Sequence, residues 1–153
     1  MKQVLQSYRT GELWLADVPA PVGAPLGARV RTRSSLVSAG TERSMIQLAQ
    51  KSLLGKARER PDLVRRVLQK VKDEGLWTTV EQVQQKLDVP VPLGYSAAGV
   101  IEDAMEAPGL LPGMRVAVAG AGLASHAEMN WVPRNLIAPL PDNVSFEQGA
   151  CAT

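Results

Sequence analysis

The sequence predicts a mainly β protein with a small helical subdomain inserted into it. Three observations lead there. Apolar and polar residues alternate in segments near both ends of the chain. The clearest is Ala28–Val37, where Arg29, Arg31 and Arg33 share one face and Val30, Thr32, Ser34 and Leu36 the other. Between residues 42 and 90 the apolar period changes to that of a helix. Proline and glycine, as at Pro112-Gly113, punctuate the β-like segments.

Taken in order, Gln3–Tyr8 reads as a strand, Gly11 as a turn, and Glu12–Val18 as a hairpin partner. The Pro/Gly-rich stretch 19–27 is loop. Ala28–Val37 is a half-buried strand with its arginines in water or paired. Met45, Leu48 and Ala49 sit at helical spacing, with Gly55 as a stop. Pro61 suits the first turn of the next helix. Its stripe is Val64, Val67, Leu68 and Val71, with Arg65, Arg66, Lys70 and Lys72 away from it, and Gly75 ends it in left-handed geometry. Thr78 and Glu81 have capping-box spacing for a third helix with Val80, Val83 and Leu87 inward, closed by Pro90 and Pro92. Strands resume at Tyr95–Glu102, Arg115–Ala119 and Ser125–Val132. Pro133, Pro139 and Pro141 prevent regular structure until Ser145, which caps a final helix. The chain stops inside that short helix, so its end reads as cut.

Composition narrows the function. At 153 residues, 45% apolar and 21% charged, the chain is one globular domain, which argues against a disordered, collagenous or coiled-coil protein. No run of about 18 apolar residues occurs, and the first residues lack the apolar core of a secretory signal. One cysteine, Cys151, and one histidine, His126, allow neither an internal disulfide nor a zinc site built from these two side-chain types. A cytoplasmic protein without membrane contact is the expectation. Aromatics at 4% weaken any base-stacking platform, so nucleic acid is a disfavoured partner. The net charge is +2, but residues 43–90 hold ten basic and six acidic side chains against seven and nine elsewhere. The basic insert reads as a solvated helical face. A site for nucleic acid, anionic lipid or a phosphorylated ligand is the other reading.

Five segments then stand in a telling order: SAGTERS at 38–44, LGYSAAGVIED at 93–103, LPGMRVAVAG at 111–120, ASHAEMNWVP at 124–133 and PLPDNVSFEQGA at 139–150. Together they resemble the N-terminal catalytic domain of the medium-chain, alcohol-dehydrogenase-like dehydrogenase/reductases. The helical insert is most similar to that of zinc-lacking bi-domain bacterial oxidoreductases. The resemblance implies a GroES-like, partly open β-barrel over 1–153 with a helical insert at about 43–90. It also implies NAD or NADP in the complete enzyme, bound mainly by a Rossmann domain that this chain lacks.

The same resemblance locates a site. Zinc-dependent members carry cysteine in a C-G-T-D motif and histidine in G-H-E. Here those positions read Ala39-Gly40-Thr41-Glu42 and Gly94-Tyr95-Ser96. Neither methyl, phenol nor hydroxyl is a first-shell zinc ligand, so no metal site is expected, and a carbonyl would be polarised by hydrogen bonds instead. Thr41 matches the hydroxyl that passes the substrate proton toward the nicotinamide ribose; the alternative is a helix cap. Gly40 and Thr41 are the expected cofactor contacts. Glu42 would orient neighbouring groups, or pair with an arginine. Tyr95 would donate to a carbonyl, or be half-buried core. Ser96 is the weakest of the catalytic candidates. His126 reads as a surface or satisfied histidine, Cys151 as a small buried hydrophobe, and Trp14, Trp77 and Trp131 as core and anchor residues. GAGLA at 120–124 follows one strand and runs into another, so it lacks the helix N-terminus that a pyrophosphate needs.

Two functions are consistent with this reading. One is the substrate side of a zinc-independent NAD(P)-dependent oxidoreductase acting on an alcohol or carbonyl compound, inactive alone, with a missing Rossmann domain or partner chain and possible homo-oligomers. The other is a non-catalytic binding or assembly module that uses the basic insert, with Arg58, Arg60, Arg65, Arg66, Lys70 and Lys72 as its surface.

Overall fold

The structure, a computed structural model, describes residues 1–51, 55, 58 and 61–152; the side chains of Met45, Leu48 and Leu63 lie outside that description, as does Arg60. The chain divides into two compact units. One comprises Met1–Leu5, Trp14–Glu42 and Pro92–Thr153, and the other Gln6–Leu13 and Arg43–Val91.

The first unit is built from strands. They are β1 (Lys2–Gln6), β2 (Leu13–Asp17), β3 (Gly27–Ser35), β4 (Val91–Pro92), β5 (Ser96–Asp103), β6 (Arg115–Ala119), β7 (Met129–Pro133) and β8 (Ile137–Pro139). A three-stranded sheet has the order β2-β1-β4. A five-stranded sheet, β7-β3-β5-β6-β8, is antiparallel throughout and curls into a partly open barrel. Its core is Ala28, Val30, Ile101, Val116, Val132 and Ile137 with their neighbours, the inward half of each alternating strand. On β3, Arg29 and Arg31 both pair with Glu102 across the sheet, so two of the three arginines on that face are answered by one carboxylate. β5 is lined with small residues because its neighbour crowds it. A Cβ on Gly99 would overlap the Arg31 carbonyl oxygen, so only glycine fits.

Three expectations change in this unit. Only Met129–Pro133 of the expected strand 125–132 forms β7. Ser125–Glu128 instead approaches β1, with an isolated bridge between Gln3 and Ala127. The proline-rich stretch after Pro133 is also more regular than expected, with a 3-10 turn at Arg134–Leu136 and then β8. Arg115 helps to order the segment after β8. Its guanidinium donates to the carbonyls of Asp142 and Val144 and lies 4.8 Å over the Phe146 ring. The last helix, Phe146–Ala150, starts on a capping box in which Ser145 and Gln148 satisfy each other's backbone. Cys151 caps its far end and is exposed rather than buried, because the helix stops there.

The second unit is helical. We number α1 (Thr41–Gln50, which enters this unit at Arg43), α2 (Pro61–Glu74) and α3 (Leu76–Asp88); Phe146–Ala150, in the first unit, is α4. Gly55 is itself helical rather than a stop. Gly75, at φ 90°, joins α2 to α3 by itself. Its N–H bonds to Val71, and its carbonyl accepts from both the N–H and the hydroxyl of Thr79. This tight turn starts α3 two residues before Thr78, so the expected capping box at Thr78 and Glu81 is not used. Val83 and Leu87 are half-buried, but Val80 is exposed, and Trp77 is 86% exposed rather than an anchor. No helix of the described residues is long and apolar enough to cross a membrane.

Candidate functional site

The site grows from the end of β3. The strand finishes at Ser35, and the Leu36 N–H still bonds to the Ser96 carbonyl of β5. The chain then turns through Ser38-Ala39-Gly40 into α1. Ser38 serves as the cap: its hydroxyl accepts from the Thr41 N–H at 3.2 Å and its carbonyl from the Glu42 N–H at 3.1 Å. Thr41 is therefore capped rather than capping, and it is exposed at the helix start. Glu42, one residue on, is buried.

A buried carboxylate is costly unless something answers it. The partner is the lone histidine. Glu42 Oε1 lies 2.9 Å from His126 Nε2, and the side chains are only 8% and 11% exposed. The other ring nitrogen, Nδ1, lies 2.9 Å from the Ser35 hydroxyl. Glu42, His126 and Ser35 thus form one hydrogen-bonded chain that joins the first turn of α1, the loop before β7 and the end of β3. An ionised Glu42 only accepts, so Nε2 carries the donated proton; in the neutral imidazole Nδ1 then accepts and the Ser35 O–H donates.

The backbone places the imidazole. The His126 N–H donates to Leu93 at 2.8 Å, and its carbonyl accepts from the Val4 N–H at 2.9 Å. Gly94 makes that approach possible: at φ +100°, a Cβ there would sit 2.7 Å from the His126 nitrogen. Beside it, Ser125 and Asn130 are buried and mutually bonded, with Gln3 donating to Ser125 and Asn130 to the Thr32 hydroxyl. These polar groups already answer one another, so they hold the loop rather than await a ligand.

The expected site residues therefore separate. Gly40, Thr41 and Glu42 lie together on the turn into α1. Among the described residues, a Cβ on Gly40 would meet nothing within 4 Å. Tyr95 is half-buried between Gly94 and β5, and its carbonyl accepts from the Gly120 N–H. Ser96 is fully buried, and its hydroxyl donates to the Ala150 carbonyl at 2.6 Å, tying β5 to α4. The sequence carries no sign of Ser35, and His126 reads there as a surface or satisfied histidine. The usable signal was that the chain has one imidazole and that Glu42 needs a donor. Glu42 is paired with that imidazole and not with an arginine. Among the described residues, no group of three or more His, Cys, Asp and Glu is gathered as a metal cluster would need.

No family model and no curated protein sequence matches the chain. Solved structures do. A quinone oxidoreductase from Pseudomonas syringae pv. Tomato DC3000 matches 97% of this chain over 36% of its own, at 21% identity and TM-score 0.63. The Escherichia coli quinone oxidoreductase complexed with NADPH matches 100% over 37% of its own, at 15% identity and TM-score 0.66. Galactitol-1-phosphate dehydrogenase from Escherichia coli matches 98% over 41% of its own, at 17% identity and TM-score 0.64. The chain spans about two fifths of the length of these proteins. Its fold is the GroES-like fold that these medium-chain, alcohol-dehydrogenase-like oxidoreductases carry.

Proposed function

We propose that the chain is the substrate side of a zinc-independent, NAD(P)-dependent oxidoreductase acting on an alcohol or carbonyl carbon. The observation that carries this reading is the fold shared over nearly the whole chain with quinone oxidoreductases, one of them complexed with NADPH, and with a galactitol-1-phosphate dehydrogenase. Fold alone does not make an enzyme, so the roles rest on the residues.

The residues fit one end of such a cofactor. Among the described residues nothing stands within 4 Å of a Cβ on Gly40, and Thr41 is exposed at the start of α1, which suits the nicotinamide and its ribose. Among the described residues, no G-x-G turn opens a helix: Gly120 and Gly122 both have positive φ in a turn that leads toward β7. We therefore assign the pyrophosphate seat to a Rossmann domain outside this chain. When bound, the nicotinamide supplies the hydride donor or acceptor. Thr41 would hand on the substrate's hydroxyl proton, since its hydroxyl both gives and accepts. Tyr95 would donate to a carbonyl oxygen, which replaces the Lewis acid that Ala39, Tyr95 and Ser96 cannot hold. Ser96, engaged with Ala150, would act only by keeping β5 in place. A single thiol and no disulfide suit the cytoplasm.

The test is a titration with NADH and NADPH, following reduced-nicotinamide fluorescence. The chain alone is expected to show no saturable binding at millimolar cofactor, and a Rossmann domain fused after residue 153 is expected to restore it. Saturable binding by the chain alone would sink the assignment of the seat.

One observation favours a second reading, an assembly module. α2 and α3 enclose a groove of about 290 Å³ with Val67, Val83 and Leu87 on its floor and Arg66, Lys70 and Lys86 around it. Binding of a polyanion that weakens steeply with salt would support that use of the insert.

A further inference from the structure

We propose that Glu42, His126 and Ser35 form a charge relay that activates the Ser35 hydroxyl, and that this hydroxyl, a second one besides that of Thr41, takes a proton from a hydroxyl-bearing ligand. The ligand class rests on the oxidoreductase reading; the activation of Ser35 rests on geometry alone.

Three features set this chain of bonds apart from a structural contact. A carboxylate at one end can only accept, which puts a proton on Nε2, and with a neutral imidazole the Ser35 O–H then donates to Nδ1 and keeps the lone pairs of its oxygen uncommitted. Its anionic end is hidden while Ser35, at the other end, is half-buried on the last residue of β3. Its centre is held on both sides by backbone bonds, to Leu93 and from Val4, so the imidazole is oriented before any ligand arrives. A hydroxyl hydrogen-bonded to an imidazole whose second nitrogen faces a carboxylate is the arrangement that turns serine into a base or nucleophile. The ligand O–H proton passes to Ser35 Oγ as the Ser35 proton passes to His126 Nδ1. The products are the ligand alkoxide and an imidazolium facing Glu42, with no net change in protons or electrons. Glu42 acts through His126 and is a positioning residue.

Methanesulfonyl fluoride, a small sulfonylating reagent, reads this activation without a substrate. Ser35 Oγ forms the new S–O bond, the S–F bond breaks, fluoride leaves, and the hydroxyl proton goes to His126. Peptide mass spectrometry is expected to find Ser35 modified at least about 100-fold faster than Ser7 or Ser145, the effect of a positioned general base. His126→Gln should remove that excess, and Glu42→Gln should cut it at least about tenfold by releasing the imidazole's orientation. If His126→Gln does not fold, Glu42→Gln carries the test, and Ser35→Thr should restore part of the reactivity that Ser35→Ala loses. Nitrogen NMR of the lone histidine should show Nε2 protonated and Nδ1 bare. Modification of Ser35 no faster than of the other serines would overturn the relay, even with that tautomer, and leave the bonds structural. The sulfonylation assay needs no cofactor and the cofactor titration is read on the unaltered chain, so the two readings fail separately.

Discussion

The strand unit and the helical unit solve the same problem with unequal means. In the barrel, Ala28, Val30, Val116 and Val132 are within 1% of complete burial, because both ends of the sheet turn one face inward. In the helical unit the stripe on α2 stays open, with Val67 37% and Leu68 57% exposed, and the only fully buried residue of α3 is Thr79. A helix gains most of its stability by packing an apolar face. The barrel carries its own core, whereas α2 and α3 leave part of theirs uncovered.

Two glycines test that difference most sharply. Gly99→Ala drives a methyl into the Arg31 carbonyl and should cost about 3 kcal/mol or more through backbone displacement. Gly75→Ala meets nothing within 4 Å and is penalised only for its extended, positive-φ backbone at φ 90° and ψ 160°, about 1–3 kcal/mol. Urea unfolding followed by circular dichroism would compare them, and equal costs would remove the distinction between the units.

Two buried hydroxyls give a smaller contrast. Ser96→Ala leaves the Ala150 carbonyl without its donor and should cost about 1–2 kcal/mol. Thr79→Ala removes a bond to a carbonyl that the Thr79 N–H already serves, while adding a better helix former, so the change should stay within about 0.5 kcal/mol. Thermal melts of the two variants would decide it.

The smallest expected effect is one of pH. The Glu147 carboxyl is held below its ordinary value, first by its own backbone N–H, then by Ser145, with a further bond from Ser34. A lowered acid stabilises the folded state above its unfolded pKa and loses that contribution as pH falls through the folded one. Glu147→Gln should flatten the acid limb of the barrel's stability curve slightly, and salt should change little of it, since the causes are hydrogen bonds. An unchanged acid limb in the variant would refute this.

Much of the fold was legible. Alternation found β3, β5 and β6 within two residues, and Pro61, Gly75 and Ser145 marked helix ends through backbone geometry that their own side chains dictate. The features that stayed hidden were settled by partners distant in sequence. The segment 125–128 alternates like a strand but is drawn off toward β1 by bonds to Lys2 and Val4, and no local pattern encodes those. The site behaved likewise. Gly40, Thr41 and Glu42 announce themselves as a motif, but Glu42's partner lies 84 residues away, so its burial and its imidazole could not be read from spacing.

His126 also closes a loop. Its side chain holds Glu42, the last residue of the strand unit before the helical excursion, and its backbone holds Leu93, just after the excursion returns. One residue thereby clasps both ends of a long detour in the chain. The entropy of closing a flexible loop grows only logarithmically, about 0.6 kcal/mol for each doubling of its length. With the clasp in place, that weak dependence makes the detour between Glu42 and Leu93 cheap to lengthen or shorten, at little cost to the barrel and its imidazole.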